Sequence, residues 1–225
     1  MKELQGVFMG LFEPKWKSSN EEKAIEAIQF LNAKQDKAEK IFREIILTET
    51  RENVIKTAIY KIQDEAFLKE IYLDGKNLLK IQGEPAERVI YTAGTHIHDQ
   101  EFIRNMILEE KGKYYALANN LDKTNKDLAY DILSGKLKRK VDKDFYHNAV
   151  NCIGDEKLIY ELAKSTESNW VAEACVYGLR NNTELLKELA GTGTIIAYHF
   201  LSDKFLKPET VLKAEARKYL KLKGV

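Results

Sequence analysis

Two sets of polar side chains recur along this sequence at fixed places in a repeated pattern. The pattern is a capping residue, Asp or Asn, followed by apolar residues three, four, seven and eight positions later. Position +5 after the cap carries mostly cations and tyrosines, namely Arg43, Lys69, Arg104, Tyr130, Tyr160 and Lys187. Position +6 carries mostly carboxylates, namely Glu44, Glu70, Asn105, Asp131, Glu161 and Glu188. On a helix, both positions lie outside the apolar stripe and flank the exposed face.

These two rows have two interpretations. Arginine and tyrosine are favoured where proteins bind one another, so the +5 row could form a surface for a peptide or an acidic partner. Alternatively, the +5 cations could pair with the +6 carboxylates of the adjoining copy, as a ladder of exposed ion pairs worth about 0–1 kcal/mol each. The two interpretations are compatible, and the sequence leaves both open.

Other polar residues give weaker signals for chemistry. His96 and His98 suggest a metal site, but side chains two apart point to different sides of a helix, whereas helical zinc ligands usually lie four apart. The basic run 136–143 could bind phosphates. A solvated loop explains it as well, because Asp142 and Asp144 interrupt and follow it. The sequence therefore predicts no catalytic residue, no metal ligand and no cofactor.

The elements that must position these residues are amphipathic helices. The pattern begins at Asp64, Asp99, Asn125, Asp155 and Asn182, and a sixth copy without a cap begins at Ala38. Successive copies are separated by 26 to 35 residues, a period typical of stacked helical hairpins. A second apolar run with helical spacing precedes most caps, so each unit reads as a helix A, a short turn and a helix B. Leu158 and Ile159 both occupy stripe positions, and we expect both to be buried.

Composition limits the classes of function. The 225 residues include 36 basic and 35 acidic ones, so the chain lacks the basic bias of many nucleic-acid binders. The two cysteines, Cys152 and Cys175, lie in apolar helical stretches and indicate buried thiols in a reducing compartment. No stretch approaches the roughly 18 apolar residues that cross a bilayer. We therefore expect a cytoplasmic protein that does not bind membranes.

The organisation along the chain follows from where the pattern starts and stops. We predict an N-terminal segment over residues 1–19 that covers the first helical pair, and an array of helical pairs over 20–206. A lysine-rich C-terminal capping helix is predicted over 207–225, because stacked arrays need a polar end. The sequence leaves the oligomeric state open.

The segments 53–71 and 146–163 resemble the HEAT-like repeat proteins of bacteria, and the opening 9–16 followed by 23–28 is similar to the start of such proteins. The resemblance implies an all-α fold, a right-handed superhelical α-solenoid of antiparallel helix pairs with about six to seven repeats. It also implies a non-enzymatic scaffold or adaptor that binds a protein or peptide partner through the helix-B face. The alternatives are a nucleic-acid-binding protein resembling the HEAT-like DNA glycosylases and an enzyme acting on a small molecule.

Overall fold

The computed structural model describes residues 14–31, 36–191 and 216–223, and within these ranges the protein is all-α, without a β-strand. Short 3-10 turns lie at Lys15–Lys17 and Lys123–Asn125. The α-helices alternate between A and B types as the pattern predicts. The A helices are α1 (Glu21–Gln29), α3 (Glu52–Ile59), α5 (Glu84–Gly94), α7 (Tyr114–Ala118), α9 (Lys143–Ile153) and α11 (Asn169–Gly178). The B helices are α2 (Asp36–Thr48), α4 (Glu65–Leu78), α6 (Gln100–Glu109), α8 (Lys126–Leu133), α10 (Glu156–Ser165) and α12 (Thr183–Gly191).

Side-chain caps set where several B helices begin. The Asp64 carboxylate accepts a hydrogen bond from the Phe67 N–H at 3.0 Å, and Asp155 accepts from the Leu158 N–H at 3.2 Å. These contacts confirm the capping role predicted for both residues, since each satisfies an N–H group that the helix itself leaves unpaired. The prediction is wrong for Asn125, which precedes α8 but makes no side-chain capping bond.

Caps also begin several A helices, at positions that the repeated pattern does not contain. Asn20 accepts from the Lys23 N–H, Asp142 from the Phe145 N–H and Ser168 from the Val171 N–H. Capping side chains therefore begin helices of both types, although only the caps of the B helices occupy a fixed position in the repeated sequence pattern.

The chain forms two compact units that divide after Asp99. In the first unit the A helices α1, α3 and α5 pack in a row, while α2 packs on α3 and α4 packs on α5. In the second unit α6 packs on α7, α8 on α9, α9 on α11, and α10 on α11. The B helices α2, α4, α6, α8 and α10 thus each pack on the A helix that follows them.

Small residues allow the A helices to approach closely. The recurring small side chains Ala58, Ala93, Ala118, Ala149 and Cys175 are all at most 1% exposed. Gly178 of α11 lies so close to α9 that a Cβ atom there would overlap Val150 Cγ1. The side chains along the contacts between A helices must therefore be small as well as apolar.

The irregular spacing between the second and third copies has a local cause. Helix α4 continues to Leu78 across a kink at Asp74, where the backbone angles are φ −128° and ψ 16°. A loop then leads to Gly83, whose φ of +70° favours glycine, and Pro85 lies in the first turn of α5. The extra residues therefore lengthen a B helix and add a loop.

Part of the predicted organisation falls outside the described residues. This applies to residues 1–13 of the N-terminal segment, 32–35 and 192–206 of the array, and 207–215, 224 and 225 of the C-terminal segment, while residues 216–222 are helical. Within the described ranges, no helix combines the length and the apolar character that crossing a bilayer requires.

Candidate functional site

The first B helix is tied to the N-cap of the second by two side chains one turn apart. Glu39 Oε1 accepts hydrogen bonds from the backbone N–H groups of Gln63 and Asp64 at 2.9 and 2.7 Å. Arg43 donates from Nη2 to the Asp64 carboxylate, and its guanidinium lies 4.4 Å from the centre of the Phe67 ring. The Phe67 N–H and Arg43 both hold the pKa of Asp64 below its ordinary value. We call this arrangement, from positions +1 and +5 of one B helix to the N-cap region of the next, a capping lock.

The same capping lock links the second B helix to the N-cap segment at the end of the first unit. Glu65 Oε1 accepts from the N–H groups of His98 and Asp99 at 2.6 and 2.5 Å, and Lys69 Nζ lies 2.5 Å from the Asp99 carboxylate. Positions +1 and +5 therefore do the same work in two successive copies of the pattern.

An amide version of the capping lock follows in the second unit. Gln100 Oε1 accepts from the Asp122 N–H at 3.0 Å and from Asn125 Nδ2 at 3.1 Å. Arg104 donates to Asn125 Oδ1 at 3.0 Å and pairs with Asp127 at 2.8 Å. Asn125 is buried, at 4% exposure, because its side chain serves this contact and not the cap of α8.

The last described B helices form a partial capping lock. Asn182 Nδ2 donates to Glu156 Oε2 at 2.7 Å, and the Tyr160 hydroxyl donates to Glu188. The bond to Glu188 raises the pKa of Tyr160 to about 12. Tyr160 is only 8% exposed, so the expectation that position +5 lies outside the buried stripe is wrong for this residue.

The ladder interpretation is correct that +5 side chains pair with the adjoining copy, but it names the wrong partner for the cations. Arg43, Lys69 and Arg104 meet the N-cap position, and Arg104 also meets position +2. Tyr160 instead reaches a +6 carboxylate, that of Glu188. The spacing of the pattern indicates which side chains face the next copy. Which residue of that copy each side chain meets depends on how far the two B helices are displaced along their axes relative to one another.

The six predicted surface residues are therefore not equally accessible. The side chains of Arg43, Lys69 and Arg104 are 39%, 24% and 37% exposed, and their charges are already paired. Tyr130 is half-buried with Lys136 Nζ 5.2 Å from its ring centre, while Lys187 is exposed. The structure therefore places all six residues on B helices. The charges of its three paired cations are only partly available to a partner.

Other side chains make up the more exposed part of the B helices. Glu70 and Glu161 at position +6 are exposed, and so are Leu73 and Leu108 at position +9, at 60% and 43%. Leu158 is 41% exposed, which contradicts its expected burial. The +9 leucines were missed because the apolar pattern was read only to position +8.

The basic run is partly a structural element. Arg139, whose side chain is 10% exposed, donates to the carbonyl oxygens of Ile107 at 2.7 Å and Leu108 at 2.8 Å. It also pairs with Glu110 at 2.8 Å. A cation at this place donates hydrogen bonds to the last carbonyl groups of α6 and offsets the negative end of the helix dipole. Both effects stabilise the helix terminus. Arg139, the one arginine of the run, is therefore committed to a helix end.

His96 and the two cysteines lie in ordinary packing environments. His96 Nδ1 is 2.9 Å from the Thr92 carbonyl oxygen, and the His96 ring stacks edge-on against Tyr60 at 4.9 Å. Burial raises the pKa of Cys152 to about 11 and that of Cys175 to about 12. Among the described residues, no three His, Cys, Asp or Glu side chains are grouped to hold a metal ion.

The chain matches no protein-family model, no curated protein and no solved structure. The HEAT-like resemblance therefore continues to depend on the repeated residues alone.

Proposed function

We propose that this protein is an α-solenoid scaffold of HEAT-like helical pairs, which binds a protein or peptide partner through the face formed by its B helices. The observation that carries the proposal is the capping lock, which links positions +1 and +5 of α2, α4 and α6, and partly those of α10, to the N-cap region of the next copy. Stacked helical pairs of this kind contact mainly their neighbours and present side chains in regular rows.

The rows suit a protein partner because they combine apolar and charged groups. Leu73 at 60% exposure lies one turn from the exposed Glu70, and Leu108 lies one turn from the exposed Asn105. Protein interfaces typically combine apolar contacts with a polar rim. We include Arg104, Tyr130, Tyr160, Lys187, Arg43 and Lys69 in the surface, with the first contact made by the more exposed neighbours at +6 and +9.

The nucleic-acid alternative has less support. A phosphate-binding face needs cations that are free to replace counterions. Here Arg43, Lys69 and Arg104 pair with side chains of the same chain, and Arg139 is committed to the end of α6.

The proposal can be tested by photo-crosslinking. A photoreactive amino acid is placed at Glu70 or Glu161 on the B helices, and at Asn53 or Asn151 on the A helices as matched exposed controls. We expect crosslinks to the same cellular protein from both B positions and not from the A positions. The captured protein is then purified, and its affinity for the chain is measured by calorimetry.

Two results would count against the proposal. One is crosslinking from the A positions alone or equally from both sets, and the other is a captured protein that shows no direct affinity in calorimetry. Because none of the four positions belongs to a capping lock, the label leaves the helical packing intact in either case.

A further inference from the structure

The step from α8 to α10 differs from the other described steps between B helices. The residues at positions +1 and +5 of α8 are Lys126 and Tyr130. In α2, α4 and α6 the same positions carry a carboxylate or amide and a cation, and in α10 they carry Glu156 and Tyr160. Lys126 has no acceptor group for the N–H groups of the next turn. Among the described residues, neither side chain makes a hydrogen bond or ion pair to Gly154 or Asp155.

Exposure shows the consequence of the missing capping lock. The N-cap residues that receive a lock, Asp64, Asp99 and Asn182, are half-buried, and Asn125 is buried. Asp155, which receives none, is exposed. Three residues further on, Leu158 is 41% exposed, whereas Phe67 at the equivalent position is 4% exposed beneath Arg43.

The A helices beside this step are tightly packed. Helix α9 packs against α8, α10 and α11, and Gly178 of α11 leaves no space for a Cβ atom beside Val150. A change in the angle between α8 and α10 would therefore open or close the B side while the A side acts as the fixed edge.

We propose that the α8–α10 step is a built-in bending point of the second unit, at which the spacing of the B helices adjusts. Its biological use, fitting the B-helix face to a partner, rests on the proposed scaffold function. The bending itself is a property of the free protein. Hydrogen-bonded side chains restrict such motion at the locked steps, whereas among the described residues this step has no such lock and depends on the packing of α9.

The test compares distances across a locked and an unlocked step. Nitroxide spin labels are attached to cysteines introduced at Asn105, Asp131 and Glu161, which are the +6 residues of α6, α8 and α10. The native Cys152 and Cys175 are buried and are expected to stay unlabelled. Dipolar EPR measures the 105–131 distance across the locked step and the 131–161 distance across the unlocked one. We expect the 131–161 distribution to be about twofold broader.

Two reciprocal variants exchange the residues that define the difference. Lys126→Glu with Tyr130→Arg supplies the missing capping lock, and we expect it to narrow the 131–161 distribution and raise the melting temperature by about 2–4 °C. Gln100→Lys with Arg104→Tyr removes the existing lock, and we expect it to broaden the 105–131 distribution. Circular dichroism checks that both variants remain helical.

Equal widths for the two distances in the unmodified protein would overturn the inference. An unchanged 105–131 distribution after Gln100→Lys with Arg104→Tyr would do the same, because the locks would then not be what restrains a step. Neither measurement involves a partner, so a failure here leaves the scaffold proposal standing, and a failure of the crosslinking test leaves the bending point standing.

Discussion

At the scale of single residues, Arg43 combines three interactions in one side chain. It pairs with Asp64, stacks on Phe67 and is 39% exposed. We expect Arg43→Met to lower the free energy of unfolding by about 1 kcal/mol, since solvent screens part of the charge interaction while the stacking is lost. Urea unfolding of a double-mutant cycle with Asp64→Asn measures the coupling.

The exposed pair Lys17 and Glu44 provides a matched control for this cycle. Its atoms are 3.2 Å apart, and the two side chains are 43% and 49% exposed. We expect a coupling near zero for Lys17→Met with Glu44→Gln, because exposed pairs contribute little. Equal coupling in the two cycles would mean that the capping lock is no stronger than an ordinary surface ion pair.

Two neighbouring stripe residues should respond very differently to truncation. Ile159 is 3% exposed and Leu158 is 41% exposed, although the sequence pattern treats them alike. We expect Ile159→Ala to cost about 2–5 kcal/mol and Leu158→Ala less than about 1 kcal/mol, because only the first leaves a cavity. Chemical unfolding of both variants checks this, and similar costs would show that Leu158 is buried in solution.

At the scale of helices, the repeated pattern predicted the elements well because it depends on local spacing. The apolar period identified the B helices, and Asp64 and Asp155 marked their first turns. The partners of position +5 could not be predicted, since they depend on how neighbouring helices are offset. The missing lock at Lys126 and Tyr130 was visible as a departure in residue type, but its meaning required the contacts made by the other copies.

The contact between α9 and α11 allows a test of helix spacing. Gly178→Ala would place a Cβ atom in the space held by Val150 Cγ1, and we expect a loss of about 1–3 kcal/mol of stability from this overpacking. Val150→Ala removes the obstructing atoms, so the double variant should lose less than the sum of the two single losses. Additive losses in thermal unfolding would indicate that the helices move apart freely.

At the scale of the whole molecule, networks of carboxylates and arginines make stability depend on pH. Hydrogen bonds from Arg51 to Glu49 and from Arg88 to Glu52 lower the pKa of each carboxyl from 4.5 to about 2. Their stabilising contribution is therefore present above pH 4.5 and is lost as the pH falls through the folded-state value near 2.

We accordingly expect the free energy of unfolding to decrease as the pH falls through this acidic range. In the Glu52→Gln variant this free energy should decrease less steeply than in the unmodified protein. Urea unfolding at a series of pH values measures both slopes. Arg88→Met serves as the matched variant because it removes the main cause of the lowered pKa without removing the carboxyl group. Identical slopes for all three proteins would assign the acid sensitivity to other groups.

The capping lock divides its two halves between different copies of the pattern. Positions +1 and +5 belong to one copy, whereas the N-cap that they hold belongs to the next. The segment 64–98, from one cap to the residue before the next, therefore carries a cap for the lock before it and the +1 and +5 residues for the lock after it. We call such a segment a cassette. Excision of residues 64–98 would bring Glu39 and Arg43 opposite the cap Asp99, and tandem duplication of the same segment would add one complete lock. Adding or removing this cassette would therefore leave a matched capping lock at each new junction.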